Sequence, residues 1–347
     1  MKRKTYAIAA VAAVVALSLA ACSGTSSSGS TDASKGKLSV ALTVNGALGD
    51  QGFFDDAQRG MTQLKADGHK TETLQADASN PAQWRSNLES VSTGNWGLAV
   101  AGTAQMTDIM TAVAKKFPNQ KFLAFDTVVD APNVASITYE QNQGAFLAGV
   151  LAAYATSDKS SFPLSSGNKT VGILGGMDIP VINDFVVGFQ AGIKAVDPKI
   201  KVLVSYVGSF SDPVKGYSQA KAMFTDGADV VFQAAGGSGV GALQAAKDSN
   251  KYAIGVDQNQ NALQPGHVLA SVLKHVGNSL VEAVAAADAG TLKFGKTTSY
   301  GLANKGVGLD FDNNSNLVSS SIQQKIDGLA QQVIDGKIKV PHAAGAN

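Results

Sequence analysis

Cysteine is almost missing from this chain: one residue in 347, at position 22. That excludes a disulfide framework and any multi-thiolate zinc site. Charge is sparse, at 16% against the ~25% of an average soluble protein. Neither sign dominates, with 28 Lys and Arg against 27 Asp and Glu. Beyond the first residues no basic tract occurs, so nucleic acid is not an expected partner. The four histidines, His69, His267, His275 and His342, show no metal-ligand spacing, and there is no G-x-S-x-G elbow. Paired acids such as Asp55-Asp56 read as a solvated loop or helix start, favourable there by the helix dipole. No metal, no cofactor and no enzymatic activity is expected. An apolar run of the ~20 residues needed to span a bilayer is also lacking.

What is present begins with an address. Lys2, Arg3 and Lys4 precede an apolar stretch, Ala7 to Ala21, broken only by Ser18. It is too short for a membrane span and reads as an export signal over residues 1–21. Its loss would turn the net charge from +1 to −2, because it removes three basic residues and no acid. Leu19-Ala20-Ala21-Cys22 resembles the bacterial lipobox, in which the thiol is acylated and becomes the new N-terminus. Cys22 is therefore the expected lipid attachment. Residues 22–36, dominated by Ser, Gly and Thr, are the expected flexible tether. The chain is expected at the cell membrane, lipid-anchored and facing outside the cytoplasm.

From Lys37 short apolar runs alternate with amphipathic stretches. The runs include 38–44, 96–102, 121–126, 170–176, 201–208, 229–236 and 252–257; helical stretches include 106–117 and 241–249. Near-continuous apolar strands alternating with helices predict an α/β fold of parallel sheet covered on both faces. The plan repeats. Val40 matches Val171, Ala114 matches Ala245 and Asp126 matches Asp257, each offset by 131, while Phe53, Gln58 and Gly60 match Phe185, Gln190 and Gly192 at 132. Two like lobes would place the carboxyl ends of their strands opposite each other, with a ligand cleft between them. An amphipathic tail helix is expected over 321–337, with Ile322, Ile326, Leu329, Val333 and Ile334 on one face.

Several blocks resemble one family: residues 49–61, 143–153, 171–182 (VGILGGMDIPVI), 188–198, 208–220 (GSFSDPVKGYSQA), 234–247, 254–260 and 271–274. They are similar to the BMP family, the basic-membrane-protein or PnrA-like lipoproteins that serve ABC importers as substrate-binding components. The resemblance implies a type I periplasmic-binding-protein fold, two doubly wound parallel-sheet lobes joined by a three-strand hinge. Lobe 1 is expected at 37–138 plus 271–300 and lobe 2 at 139–270 plus 301–345, with crossings near Thr138, Ala270 and Tyr300. It implies capture of nucleosides, purine nucleosides first among them, for an ABC permease by a monomer. The alternatives are a sugar or other small polar ligand, or a surface sensor without a transport role.

Candidate site residues follow from the repeat and the resemblance together. A Phe after a first strand commonly packs into the core. Phe53 and Phe185, paired by the repeat, could instead face each other, and the resemblance implies a base sandwiched between them. A strand-end Asp is commonly a cap or turn residue. Asp126 and Asp257, so paired, look like two acceptors aimed into one cleft. The resemblance implies that Asp126 reads the base edge and Asp257 the ribose hydroxyls. It also implies that Lys274, otherwise a solvated lysine at the end of a strand returning toward lobe 1, donates to the ribose and balances Asp257. Gly236 and Gly237 would let backbone N–H groups approach the ligand; the sequence around them is not a P-loop. Met177 and Asp178 would shape the adjoining loop. The family loop reads approximately D-K-S-F-N. Here it is Asp50-Gln51-Gly52-Phe53-Phe54, which keeps Asp50 as a binding candidate and puts Phe54 in place of the Asn.

Overall fold

The computed structural model describes residues 36–346; the signal segment, Cys22 and the tether as far as Lys35 lie outside the described residues. The first half runs β1 (Val40–Thr43), α1 (Phe53–Ala66), β2 (Thr71–Leu74), α2 (Pro81–Ser90), β3 (Leu98–Gly102), α3 (Thr107–Lys116), β4 (Phe122–Phe125) and β5 (Val134–Tyr139). The second runs α4 (Gln141–Ser157), β6 (Thr170–Gly175), α5 (Pro180–Val196), β7 (Lys201–Tyr206), α6 (Pro213–Thr225), β8 (Val230–Ala234), α7 (Gly237–Asp248), β9 (Tyr252–Asp257) and β10 (Val268–Lys274). The remainder is α8 (Val276–Asp288), β11 (Lys296–Tyr300), β12 (Val307–Asp310) and α9 (Ser320–Ile334).

Two six-stranded sheets result, ordered β11-β5-β4-β3-β1-β2 and β12-β10-β9-β8-β6-β7. Strand for strand the orders are the same, so the 131-residue repeat is a repeat of topology. The first sheet is wholly parallel. In the second only β12 runs antiparallel, against β10. The inner strands VALT, LAVAG, FLAF, VVFQA and YAIGVD are buried along their whole length, as strands covered on both faces must be. The helix starts repeat too. Asn80 and Asp212 cap α2 and α6 by accepting from Gln83 N and Lys215 N, and each is followed by Pro at the first helical position.

The chain changes sheets at Glu140, at His275 and over 301–306. The whole of β10, Ser271–Lys274 included, belongs to the second sheet, so the crossing expected near Ala270 falls after Lys274. Likewise Tyr139 still belongs to β5. The helix after each strand-to-helix crossing packs on the first helix of the half it enters. A Cβ on Gly192 of α5 would lie 2.0 Å from Phe146 O of α4, and one on Gly60 of α1 would lie 2.6 Å from Gly277 O of α8. These repeat-paired glycines are therefore the contacts where two helix backbones meet. Of the 17 residues of α4, 14 are buried, so its sequence shows no polar face. On α9, Ile322, Ile326 and Val333 are buried and Leu329 partly so, but Ile334 is 42% exposed. The apolar face thus ends one residue earlier than its periodicity suggests. Among the described residues no helix is long and apolar enough to cross a membrane.

Candidate ligand-binding site

The carboxyl ends of both sheets open onto one cavity of about 580 Å³. Its walls include all eight expected residues, Asp50, Phe53, Asp126, Phe185, Gly236, Gly237, Asp257 and Lys274, drawn from both halves. Volume and lining suit a small molecule with an apolar body and a few polar anchors.

Asp126 follows β4 and Asp257 ends β9, and both adopt positive φ, 59° and 68°. Asp tolerates this left-handed conformation better than most residues. Thr103, at the end of β3 and also in the wall, has φ 80° and ψ 150°, a region that is otherwise nearly glycine-only. Strain of this kind collects where a site fixes its geometry at the expense of local comfort.

Lys274 is 2% exposed and hydrogen-bonds Asp126 across the two halves. Lys274 ends β10, next to β9, and its charge opposes the burial that raises Asp257, the carboxylate it is expected to balance, while its direct bond goes to the first sheet's Asp126. The ammonium lies 5.3 Å from the Phe53 ring centre and 5.7 Å from that of Phe185. Burial pushes Asp257 up to about 8, with Lys274 opposing and Asp50, Asp126 and Asp56 adding repulsion. Asp126 is raised by burial against the pull of Lys274. Asp50 is raised by burial as well, opposed by the backbone donors it holds.

Those donors give Asp50 a local task. Its carboxylate accepts from Gly52 N, Phe54 N and Asp55 N at 3.0, 2.9 and 3.1 Å, capping α1. Asp55 reciprocates, accepting from Gly49 N at 2.7 Å and Gln51 N at 2.9 Å. The 49–55 loop is thus a rigid knot, and the N-terminus of α1 is already occupied by a carboxylate.

The two expected rings both border the cavity, and each is backed by a second phenyl ring. Phe53 stacks on Phe125 at 5.7 Å, and Phe185, only 2% exposed, packs against Phe232 at 6.1 Å. Each packs against a ring of its own sheet, and Phe185 is the more deeply buried of the two. Two further rings, Phe54 and Phe210, line the cavity, one from each half. A Cβ on Gly46 would meet the Phe54 ring at 2.7 Å, and one on Gly176 would meet the Phe210 ring at 2.3 Å. Gly46 lies three residues after β1 and Gly176 one residue after β6, so each half lays one half-buried phenyl ring over a glycine near the end of its first strand. Phe210 was missed although it stands in the GSFSDP block. Further polar wall comes from Asp77, Ser79, Ser209 and Ser211, from Asn45, whose Nδ2 donates to Gln105 Oε1 at 3.1 Å, and from Gln105 itself, whose Nε2 lies 3.7 Å from Met177 Sδ of the other half.

Two like parallel sheets meeting at a polar and aromatic cavity define a solute-binding protein. The fold agrees with a crystal structure of an ABC transporter system solute-binding protein from Aeropyrum pernix K1, with TM-score 0.78, 24% identity, and coverage of 88% of this chain and 94% of that one. A family model described as "ABC transporter substrate-binding protein PnrA-like" matches residues 37–344, and the chain belongs to that family. It is 32% identical to the ABC transporter nucleoside-binding protein BmpA of Lactococcus lactis subsp. cremoris, over 98% of this chain and 99% of that protein. It is 31% identical to basic membrane protein A of Borreliella afzelii, over 91% of this chain and 95% of that one. Family membership makes the chain a binding component of a transporter and not an enzyme.

Proposed function

We propose that this protein captures nucleosides outside the cytoplasm, anchored by a lipid on Cys22, and delivers them to an ABC permease. The two sheets with their helices act as lobes, 37–139 plus 275–300 and 140–274 plus 301–345, closing over the ligand. The carrying observation is the cavity's chemistry: aromatic rings from both halves beside four carboxylates, Asp50, Asp77, Asp126 and Asp257, and one lysine. A flat heteroaromatic base fits against Phe53, Phe54 and Phe210, where ring contacts add ~0.5–1.5 kcal/mol each beyond burial. Carboxylates are acceptors, and a vicinal diol supplies two donors. Asp257 and Asp126 take the hydroxyls and the base edge, with Lys274 completing the set. The relative from Lactococcus, named for nucleoside binding, supports the same reading.

Calorimetry of residues 37–347 with adenosine, guanosine, inosine, uridine and free ribose tests this. Binding of at least one nucleoside, and weaker binding of its 2′,3′-dideoxy analogue, is expected. Binding of ribose alone would replace the nucleoside by a sugar. Cys22→Ser should abolish incorporation of labelled palmitate and release the protein from the membrane fraction.

A further inference from the structure

A buried hydrogen-bond network behind Asp257 ends in a single donor aimed at the opposite half. Gln260 is 1% exposed, and its Nε2 donates to the backbone carbonyl of Gln51 at 2.7 Å. Its Oε1 accepts from Val256 N at 3.0 Å and Gln233 Nε2 at 2.7 Å. Val256 N can only donate and the Gln51 carbonyl can only accept, so the amide has one orientation. Gln233 in turn accepts from Ala235 N, and Gln260 N donates to Ser271 Oγ, which donates to Asn261 Oδ1. Gln233, Ser271 and Asn261 are each 0% exposed. The network thus ties the strand ends that carry Gly236, Gly237 and Asp257 to one outward-pointing N–H.

The acceptor is equally specific. Gln51 is an exposed residue of the knotted 49–55 loop and takes φ 51°. Asp50, one residue before it, and Phe53, two after, both line the cavity. The inner face of the same loop reaches Asp257, since a Cβ on Gly52 would be 3.3 Å from Asp257 Oδ2.

We infer that Gln260 is a positioning residue that latches the Asp50–Phe54 loop of one half to the ligand-facing strand ends of the other. The bond exists only when the halves are together. On opening, a buried donor with no other partner must be handed to water. Closure therefore registers the aromatic loop against Asp257 through the Gln51 carbonyl, independently of what fills the cavity. Only its effect on affinity rests on the nucleoside reading above.

The test uses residues 37–347 with Gln260→Met, which keeps length and removes the donor. Gln51→Pro serves as a second variant at an exposed position, moving the carbonyl by forcing φ to about −65°; it also removes the Gln51 N donor to Asp55, so it is read against Asp55→Ala, which loses that bond without the proline constraint. Gln51→Gly keeps the carbonyl and relieves the positive φ. Small-angle scattering without ligand reads closure, and calorimetry reads affinity for whichever nucleoside the unsubstituted protein binds. Expected are a larger radius of gyration and at least ~10-fold weaker binding for Gln260→Met and Gln51→Pro, with Gln51→Gly like the parent. Compact particles in both of the first two variants overturn the latch, and so does parental affinity in both. Should Gln260→Met not fold, Gln51→Pro, read against Asp55→Ala, decides. If no nucleoside binds the parent, the nucleoside reading fails while the scattering still judges the latch.

Discussion

Lys274, the last residue of the second sheet's β10, is hydrogen-bonded to Asp126 beyond the first sheet's β4. One ammonium thus serves a cavity lined by four carboxylates and at the same time joins the two halves. Lys274→Met removes one partner of a buried pair, a change that costs about 3–5 kcal/mol when the other charge is left behind. The cost depends on that charge. At pH 8 the variant should melt well below the parent; at pH 5, where Asp126 and Asp257 can hold protons, the gap should shrink. Thermal melts at the two pH values check this, and an equal deficit at both would contradict it.

Asp257 makes the empty protein sensitive to alkali. Its folded pKa of about 8 lies above the value of 3.8 for a free carboxyl. Between these values the native state holds a proton that the unfolded chain has released. The group's contribution is complete below pH ~4 and is lost as pH rises toward 8. One proton corresponds to a slope of about 1.4 kcal/mol per pH unit. Asp50 and Asp126 are shifted the same way and leave a residual slope. Denaturant unfolding of Asp257→Asn at pH 5, 6, 7 and 8 should show a flatter dependence than the parent. Identical slopes would mean that Asp257 is ionised throughout.

Most of the inner strands and the paired acids were legible because each rests on a local rule. A doubly covered strand must be apolar along its length, and a repeated strand ends on the same residue, so Asp126 and Asp257 fell into register by counting. The 132-residue offset aligns the first helices as well: Gly60 and Gly192 are both helix–helix contacts, and Phe53 and Phe185, seven residues before them, both border the cavity. Phe54 and Phe210 were hidden, because Phe54 is the second residue of α1 and Phe210 lies between β7 and α6, and no offset of the repeat relates them. The partner of Lys274 was equally hidden, since it depends on side-chain reach across two sheets.

Phe210 and Phe185 should respond oppositely to truncation. Phe210 is half-buried on Gly176 and borders the cavity. Phe185 is in the core against Phe232. Phe210→Ala is expected to weaken nucleoside binding by at least ~10-fold, about 1.4 kcal/mol, with a melting temperature near the parent's. Phe185→Ala should instead cost about 3–5 kcal/mol of stability. Calorimetry and melting on both variants distinguish the two roles. Loss of stability in Phe210→Ala without loss of affinity would return that ring to a structural part.

Helix glycines give a prediction of opposite sign at two positions. Replacing Gly by Ala inside a helix ordinarily stabilises by ~1 kcal/mol, because alanine is the better helix former. A Cβ on Gly328 in α9 would meet nothing within 4 Å, and Gly328→Ala should follow that rule. Gly192 in α5 should not. Its Cβ would stand 2.0 Å from Phe146 O and 3.0 Å from Val150 N, both backbone atoms of α4 that cannot swing aside. The helices must separate instead, opening the core they share, and overpacking of this kind costs about 1–3 kcal/mol. Because α4 leads directly from the crossing at Glu140, its displacement also moves the hinge. Gly192→Ala should therefore lower both the melting temperature and nucleoside affinity, while Gly328→Ala raises the first and leaves the second alone. Equal effects of the two substitutions would show that α4 and α5 are not in backbone contact.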